Sequence, residues 1–276
     1  MKKVKRTKRI GVFDSGFGGL DILRGIVREI PEYDYIYLGD TARAPYGTRS
    51  QEVIYEFTKQ AVDFFFKNNC KLVIFACNTA SAEALHKIQH EYLPKKYPNK
   101  KVLGVIMPAI EEALEKTKNK RIGIIATEAT VNSSAFTTEI YKKDRRVRVY
   151  EQACPLFVPI IEAGERNHPA TKLIIDGYLK IFKAKHIDTL ILGCTHYGLL
   201  ENKIKRAVGK NVNIISEARV VPKKLKLYLK NHPEIETTLK KNSKVNFYST
   251  DITETFSTLG SRFFGKRIKA EKVTLG

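Results

Sequence analysis

Two short apolar runs that each end in a cysteine constrain the fold of this chain more than any other feature. The first covers positions 72–79 (LVIFACNT) and the second covers 190–196 (LILGCTH). A continuous aliphatic run bounded by small polar residues is typical of a strand buried in a parallel sheet. Because open α/β sheets bind ligands beyond the carboxyl ends of their strands, we expect Cys77 and Cys194 to lie where such folds carry out their chemistry.

The alternation of apolar runs with amphipathic stretches predicts an α/β protein. The first part of the chain contains predicted strands at 10–13, 35–38, 72–76 and 102–105, and predicted helices at 20–29, 49–68 and 81–92. Further along we expect strands at 211–215 and 245–248, helical residues from 222 onward, and a helix at 252–264. Strands that alternate with helices indicate βαβ units and mostly parallel sheets.

The pattern restarts in the second half of the chain. Residues 121–127 (RIGIIAT) repeat the sequence pattern of residues 9–14 (RIGVFD) at an offset of 121 − 9 = 112 positions. The second cysteine follows the first by a similar offset of 194 − 77 = 117 positions. Two pairs of landmarks in the same order predict two pseudo-symmetric α/β domains, with the active site in the cleft between them. The predicted first domain is 1–107 plus 220–276, so that the C-terminal segment returns to it, and the second is 108–219.

Composition and hydropathy narrow the class of protein. With 276 residues, of which 43% are apolar and 28% charged, the chain is long and apolar enough to bury a proper core. Its apolar runs are shorter than a membrane span. The basic N-terminus is not followed by the hydrophobic region of a signal peptide, so we expect a cytoplasmic protein.

The cysteines predict free thiols. They stand at 70, 77, 154 and 194 without CxxC spacing, which favours neither a zinc site nor a disulfide framework. Cys70 and Cys154 are expected to be small buried hydrophobes. His86 and His90 have helical i, i+4 spacing without a third ligand, so no metal site is predicted.

The net charge of +20 raises the alternative of a nucleic-acid-binding protein. The basic residues cluster at 2–9 and at 223–230. Lysine rather than arginine predominates and no nucleic-acid motif is present, which favours solvated helix surfaces. A basic surface would also raise the local concentration of an anionic metabolite.

Two opposed cysteines suit one reaction in particular, racemisation at a carbon atom. One group must remove a proton from one face of the carbon, and a second must deliver a proton to the other face. A thiol has a pKa near 8.5 and can do either, so one thiolate and one thiol would exchange roles at each turnover. Asp14 beside Cys77 and His196 beside Cys194 could tune or relay these protons.

The glycine-rich turn Asp14–Gly19 (DSGFGG) matches neither a dinucleotide fingerprint nor a P-loop. Its glycines allow the backbone to approach a small anion at a helix N-terminus, where Asp14 could also act only as the N-cap. Neutral donors near the two cysteines would suit a small, doubly charged substrate; they are Ser15, Tyr46, Gly47, Asn78, Thr79 and Thr195.

Several segments together resemble the glutamate racemases of the aspartate/glutamate racemase family. These segments are 10–20 (IGVFDSGFGGL), 37–47 (YLGDTARAPYG), 76–81 (ACNTAS), 154–159 (CPLFVP), 162–164 (EAG) and 192–197 (LGCTHY). The resemblance extends over roughly Lys8 to Phe264. It implies two pseudo-symmetric α/β domains and a cofactor-independent enzyme that interconverts L- and D-glutamate for peptidoglycan synthesis; it leaves a homodimer open.

The resemblance also implies roles for individual residues. Cys77 would be the base for D-glutamate, Cys194 the base for L-glutamate, and Asp14 and His196 would assist them. The implied substrate-binding residues are Ser15, Tyr46, Gly47, Asn78, Thr79, Thr127, Thr130, Glu162 and Thr195. The alternative within enzymes is an aspartate-type racemase of the same superfamily; the Tyr46-Gly47 pair and the 194–197 segment favour glutamate.

Two segments depart from the family pattern. Ala126-Thr127-Glu128 stands where many relatives have glycine before the threonine, and Glu128 adds a negative charge near an anion site. Ser216-Glu217-Ala218 replaces a more usual Asp-Ser type of turn. We expect both changes to leave the chemistry intact and to bear on loop geometry and regulation.

Overall fold

The predicted alternation of strands and helices runs through the computed structural model, which describes residues 7–276 except the side chains at positions 254, 255 and 257. The strands are β1 (Arg9–Asp14), β2 (Tyr35–Gly39), β3 (Cys70–Phe75), β4 (Lys101–Gly104), β5 (Arg121–Ala126), β6 (Arg148–Ala153), β7 (Thr189–Gly193), β8 (Asn213–Ser216), β9 (Val245–Ser249) and β10 (Ala270–Lys272).

The helices lie between and after these strands. They are α1 (Gly19–Glu29), α2 (Gln51–Lys67), α3 (Asn78–Glu83), α4 (Leu85–Lys87), α5 (Leu93–Lys96), α6 (Ile106–Lys116), α7 (Glu128–Asn132), α8 (Ala135–Lys143), α9 (Phe157–Glu162), α10 (Pro169–Ala184), α11 (Glu201–Val208), α12 (Glu217–Asn231), α13 (Pro233–Glu236) and α14 (Glu254–Phe264). Shorter 3₁₀ segments cover Thr41–Arg43, Tyr46–Thr48, Glu165–Asn167 and Thr195–Leu200, and Ile88–Tyr92 is π-helical.

The strands form two parallel sheets. One has the order β10-β9-β2-β1-β3-β4 and the other the order β6-β5-β7-β8. The last four strands in the order of the first sheet, β2-β1-β3-β4, correspond one by one to β6-β5-β7-β8. The predicted α/β class is therefore confirmed, and the repeat read from the offsets is present as a repeated strand order.

The C-terminal segment joins the first sheet. β9 pairs in parallel with β2, in the register Tyr35 opposite Val245, and β10 pairs in turn with β9. The positions at which the sequence was divided fall inside α6 and α12, which connect the two sheets. We propose the division 1–107 plus 220–276 and 108–219 with these two helices as the links.

One predicted helix and one predicted turn differ in the structure. The helix expected over 81–92 begins at Asn78, three residues earlier, because Cys77 caps it, and it is broken at Ala84 before the π-helical turn. The turn expected at Ser216-Glu217-Ala218 is the junction of β8 with α12, which begins at Glu217. The helical residues expected from 222 onward therefore start five positions earlier.

Burial agrees with the sheet class. All residues of β2 and of β7 are buried, as in strands covered by helices on both faces. None of the helices within residues 7–276 combines the length and the apolarity that crossing a membrane would require.

Part of the basic surface is neutralised by acids of the same chain. Lys224 lies 3.2 Å from Glu111, and Lys226 lies 2.9 Å from Glu29. The four basic residues of the N-terminal cluster at positions 2, 3, 5 and 6 lie outside the described residues. Nucleic-acid binding, which the sequence disfavours, stays an alternative.

Candidate active site

The two cysteines singled out by the sequence line one cavity between the two sheets. Cys77 stands two residues after the end of β3, and Cys194 directly follows β7, the corresponding strand of the second sheet. The cavity has a volume of about 40 Å³. The other predicted residues that line it are Ser15, Tyr46, Gly47, Asn78, Thr79, Thr127, Glu162, Thr195 and His196. The repeated topology thus brings together residues far apart in sequence.

Cys77 occupies the N-cap of the short helix α3. Its Sγ accepts a hydrogen bond from the backbone N–H of Ala80 at 3.4 Å and lies 3.3 Å from Oγ of Ser15. Both contacts favour a thiolate, but burial outweighs them, and the nearby charge of Asp14 acts in the same direction as burial. The pKa of Cys77 is raised to about 11, so the thiol is protonated near neutral pH in this state of the site.

Cys194 has a different set of neighbours. Its Sγ lies 3.9 Å from Nδ1 of His196, and Nε2 of the same ring lies 3.0 Å from Oε1 of Glu162. Burial raises the pKa of Cys194 well above its ordinary value. The side chain of Glu162 is 37% exposed, so the three residues form a path from the buried thiol toward solvent.

Asp14 ends β1 beneath the cavity and does not line it. Its Oδ2 accepts a hydrogen bond from the N–H of Gly16 at 3.0 Å, and its Oδ1 accepts one from Oγ1 of Thr195 at 3.4 Å. The N-cap of α1 is Gly18, so the alternative in which Asp14 is only the N-cap is wrong. Burial raises the pKa of Asp14, and the charge of His196 partly opposes this.

Gly18 permits close contact between the glycine-rich turn and the second cysteine's segment. A Cβ atom at this position would collide with Oγ1 of Thr195 and would lie 2.7 Å from Nδ1 of His196. Only glycine therefore allows the first sheet's loop to pack against the residues that follow Cys194.

The side chain of Tyr46 is directed toward Asp40 and is almost fully buried. Its hydroxyl donates a hydrogen bond of 2.5 Å to Oδ2 of Asp40. Oδ2 also accepts from Arg43, and Oδ1 of Asp40 accepts from the hydroxyl of Thr250. This hydroxyl is already engaged, so contacts with a bound molecule would come from the backbone here. Asp40 was not predicted as a site residue, although it lies in one of the segments that carry the family resemblance.

Three threonine hydroxyls join the two halves beside the cavity. Oγ1 of Thr79 lies 3.0 Å from Oγ1 of Thr127 and 3.4 Å from Oγ1 of Thr130, and the last two are 3.0 Å apart. Thr130 is buried behind the other two and does not line the cavity. Glu128 is exposed and does not line it either, so its charge lies farther from the site than its position in the sequence suggested.

Some lining residues were not predicted. They are Gly16, Ala44, Pro45 and Val158, each of which lies inside or beside a segment that carries the resemblance. Glu217, expected to bear on a turn, is instead buried, and its Oε2 accepts a hydrogen bond of 2.7 Å from Nδ2 of Asn78. No local pattern could have revealed this contact between residues 139 positions apart.

Chemically, the site offers two thiols, a buried carboxyl group and an imidazole, surrounded by hydroxyl, amide and backbone donors. Within the described residues, no lysine or arginine side chain lines this cavity. Such a set can move protons on both faces of a small molecule and bind carboxylates through neutral donors. His86 and His90 stack on each other at 4.2 Å, and the described residues contain no cluster of potential metal ligands.

Comparisons with known proteins identify relatives of this chain. A family model described as Asp/Glu/Hydantoin racemase matches residues 10–221. The glutamate racemase of Aquifex aeolicus is 41% identical over 261 residues, which cover 95% of this chain and 96% of that protein.

Solved structures give the same result for the fold. A glutamate racemase from Bacillus anthracis matches with a TM-score of 0.89 at 33% identity, over 98% of both chains. The glutamate racemase from Francisella tularensis, solved in complex with D-glutamate, matches with a TM-score of 0.87 at 36% identity, over 97% of both chains.

Proposed function

This chain belongs to the Asp/Glu/hydantoin racemase family and has the activity of a glutamate racemase, and we propose that Cys77 and Cys194 are the two acid–base groups of the reaction. The observation that carries the proposal is that both thiols line one cavity, each at the carboxyl end of the corresponding strand of its sheet. A duplicated fold with one thiol per half suits a reaction whose substrate and product are mirror images.

In the proposed reaction the thiolate of Cys77 removes the α-proton of D-glutamate. The electron pair of the broken C–H bond remains on the α-carbon and is delocalised into the α-carboxylate. The thiol of Cys194 then gives its proton to the opposite face of the carbon, which yields L-glutamate and leaves Cys194 as the thiolate. The reverse reaction begins from that thiolate, so no proton is gained or lost over a full cycle.

Formation of the first thiolate needs an explanation, because burial raises the pKa of both thiols. With a pKa of about 11, Cys77 is ionised in about one molecule per thousand at pH 8. The positive ammonium group of a bound glutamate would favour the thiolate through its charge. On the other side, His196 can accept the proton of Cys194 while Glu162 stabilises the resulting imidazolium.

Binding of the two carboxylates of glutamate would depend on neutral donors. The hydroxyls of Ser15, Thr79 and Thr127 and the backbone at Gly47 and Thr195 border the cavity and supply such donors. Among the described residues that line the cavity, Glu162 is the one acid, and it lies against His196. We further propose that the reaction needs no cofactor and that the D-glutamate formed serves peptidoglycan synthesis, as in the family that the chain resembles.

Exchange of the α-hydrogen with solvent tests this proposal. In deuterated water, and without added pyridoxal phosphate, the protein should introduce deuterium at the α-carbon of both enantiomers of glutamate. The same assay with L- and D-aspartate distinguishes the aspartate-type alternative, for which exchange should be faster than with glutamate. Absence of exchange with both glutamate and aspartate would contradict the two-thiol chemistry.

A further inference from the structure

Glu217 is a buried acid next to the cavity that has no part in the reaction as described above. It is the first residue of α12 and is 3% exposed. Its Oε2 accepts the 2.7 Å hydrogen bond from Nδ2 of Asn78, which is itself 2% exposed. On its other side, Glu217 borders a small cavity of about 10 Å³ together with Cys194 and Thr195. It therefore lies between a candidate substrate contact and one of the two thiols.

Two oxygen atoms of this pair have no partner. Within the described part of the chain, neither Oδ1 of Asn78 nor Oε1 of Glu217 makes a hydrogen bond, although both atoms are buried. Buried polar atoms are almost always paired, so each exception calls for a reason. Asn78 lines the cavity that contains the thiols, and a bound substrate is the natural partner for its free oxygen.

The hydrogen bond to Glu217 determines which end of the Asn78 amide stays free. An amide carries donors on nitrogen and acceptors on oxygen, and its two orientations present opposite groups to a ligand. Because Glu217 engages the nitrogen, the oxygen remains to accept a hydrogen bond. An ammonium group has three donors and no acceptor, so it requires an oxygen and is repelled by an amide N–H.

We propose that Glu217 is a positioning residue for the substrate, which holds the nitrogen of Asn78 so that the Asn78 oxygen binds the α-ammonium group of glutamate. The inference rests on the proposed function, since that function brings glutamate into this cavity. It gives a function to a buried acid that stands out in the sequence only as a change of turn.

The protonation of Glu217 is consistent with this role. Burial raises the pKa of Glu217 well above its ordinary value, and the charge of Asp14 raises it further. Burial thus favours the neutral form of the carboxyl group, which can still accept the Asn78 hydrogen bond through its carbonyl oxygen. A neutral acid adds no negative charge beside Cys194, which must become a thiolate during the cycle.

Steady-state racemisation kinetics of Glu217 variants test the proposal. Glu217→Leu keeps the volume and removes the acceptor, so KM should rise about tenfold with a smaller change in kcat. Glu217→Gln keeps a carbonyl oxygen in the same place and should recover most of the lost affinity. In an Asn78→Ala background, Glu217→Leu should cause no further rise in KM, because the residue acts through Asn78.

Controls separate positioning from folding. Glu201→Gln removes a half-buried acid that pairs with Arg219 and does not border the cavity, so its kinetics should match the wild type. Thermal unfolding of each variant shows whether the fold is intact. If Glu217→Leu does not fold, it is replaced by Glu217→Ser, whose side chain is too short to reach Asn78. Additive effects of the Asn78 and Glu217 changes, or an unchanged KM in Glu217→Leu, would overturn the inference. An inactive wild-type protein would instead contradict the proposed function.

Discussion

Nε2 of His196 lies 3.0 Å from Oε1 of Glu162, on the opposite side of the ring from the thiol of Cys194. Among the described residues, the hydrogen-bond neighbours of Cys77 are instead a hydroxyl and a backbone N–H group. The two halves of the site thus share a topology but differ in how a proton can reach or leave each thiol.

Glu162→Gln should slow proton transfer at Cys194. The neutral amide stabilises an imidazolium less well, and we expect kcat/KM to fall about 10- to 100-fold. The two enantiomers have equal free energy, so kcat/KM must fall equally in both directions. The asymmetry should appear in the primary deuterium isotope effect, which should increase for α-deuterated L-glutamate more than for the D-enantiomer. Equal changes for both enantiomers would argue against a path specific to Cys194.

Tyr46→Phe should destabilise the protein through Asp40. The change leaves the fully buried Asp40 with one donor fewer, at an expected cost of about 1–3 kcal/mol in the free energy of unfolding. It should also raise KM, because the backbone at Tyr46 and Gly47 borders the cavity. Urea unfolding and kinetics measure both effects. Tyr141→Phe, at a residue that is 40% exposed, is the control and should change stability by less than about 0.5 kcal/mol.

Gly47→Ala should disturb the contact between the two halves. A Cβ atom at this position would lie 2.9 Å from Cβ of Thr127, so one of the two segments must move away from the cavity. We expect kcat/KM to fall at least about tenfold, since small displacements of catalytic groups are costly. Gly177→Ala is the matched control: a Cβ there meets nothing within 4 Å inside α10, so stability should rise by up to about 1 kcal/mol with activity unchanged.

The raised pKa of Cys77 should make stability depend on pH. The pKa is about 11 in the folded protein against an ordinary value of 9.0, so the folded state keeps this proton longer than the unfolded state. The contribution of the Cys77 thiol to the free energy of unfolding is fully present below pH 9 and is lost as the pH rises toward 11. The slope is at most about 1.4 kcal/mol per pH unit. Cys77→Ser should lack this part of the pH dependence, which is measured by urea unfolding of the wild type and the variant between pH 8 and 11. The same dependence in both proteins would show that the pKa of this thiol is not raised.

Much of the fold could be predicted because parallel strands are continuous aliphatic runs with recognisable ends. β2 and β7 are of this kind, and the prediction for β2 agrees within one residue. β6 was not predicted, because it is an edge strand of mixed polarity (RVYEQA) without a clear apolar run. The early start of α12 was missed since Pro222 suggested the beginning of a helix, whereas it lies inside one.

Residues of the candidate site could be predicted from the sequence only where they belong to a local motif. Cys77 and Cys194 stand at the ends of strands, and the residues beside them could be read from the same motifs. Asp40 and Glu217 contact residues that only the folded chain brings near, and such contacts orient the Tyr46 hydroxyl and the Asn78 amide. These features are properties of packing and have no local signature.

The most direct test of the two-thiol account uses a glutamate analogue that carries a leaving group on the β-carbon. Elimination from it needs only one base: the thiolate takes the α-proton, and the leaving group departs with the β-carbon bond pair. Cys77→Ser should therefore eliminate only from the L-form and Cys194→Ser only from the D-form, while neither racemises glutamate. Equal use of both forms by each variant would contradict the assignment of one thiol to each face.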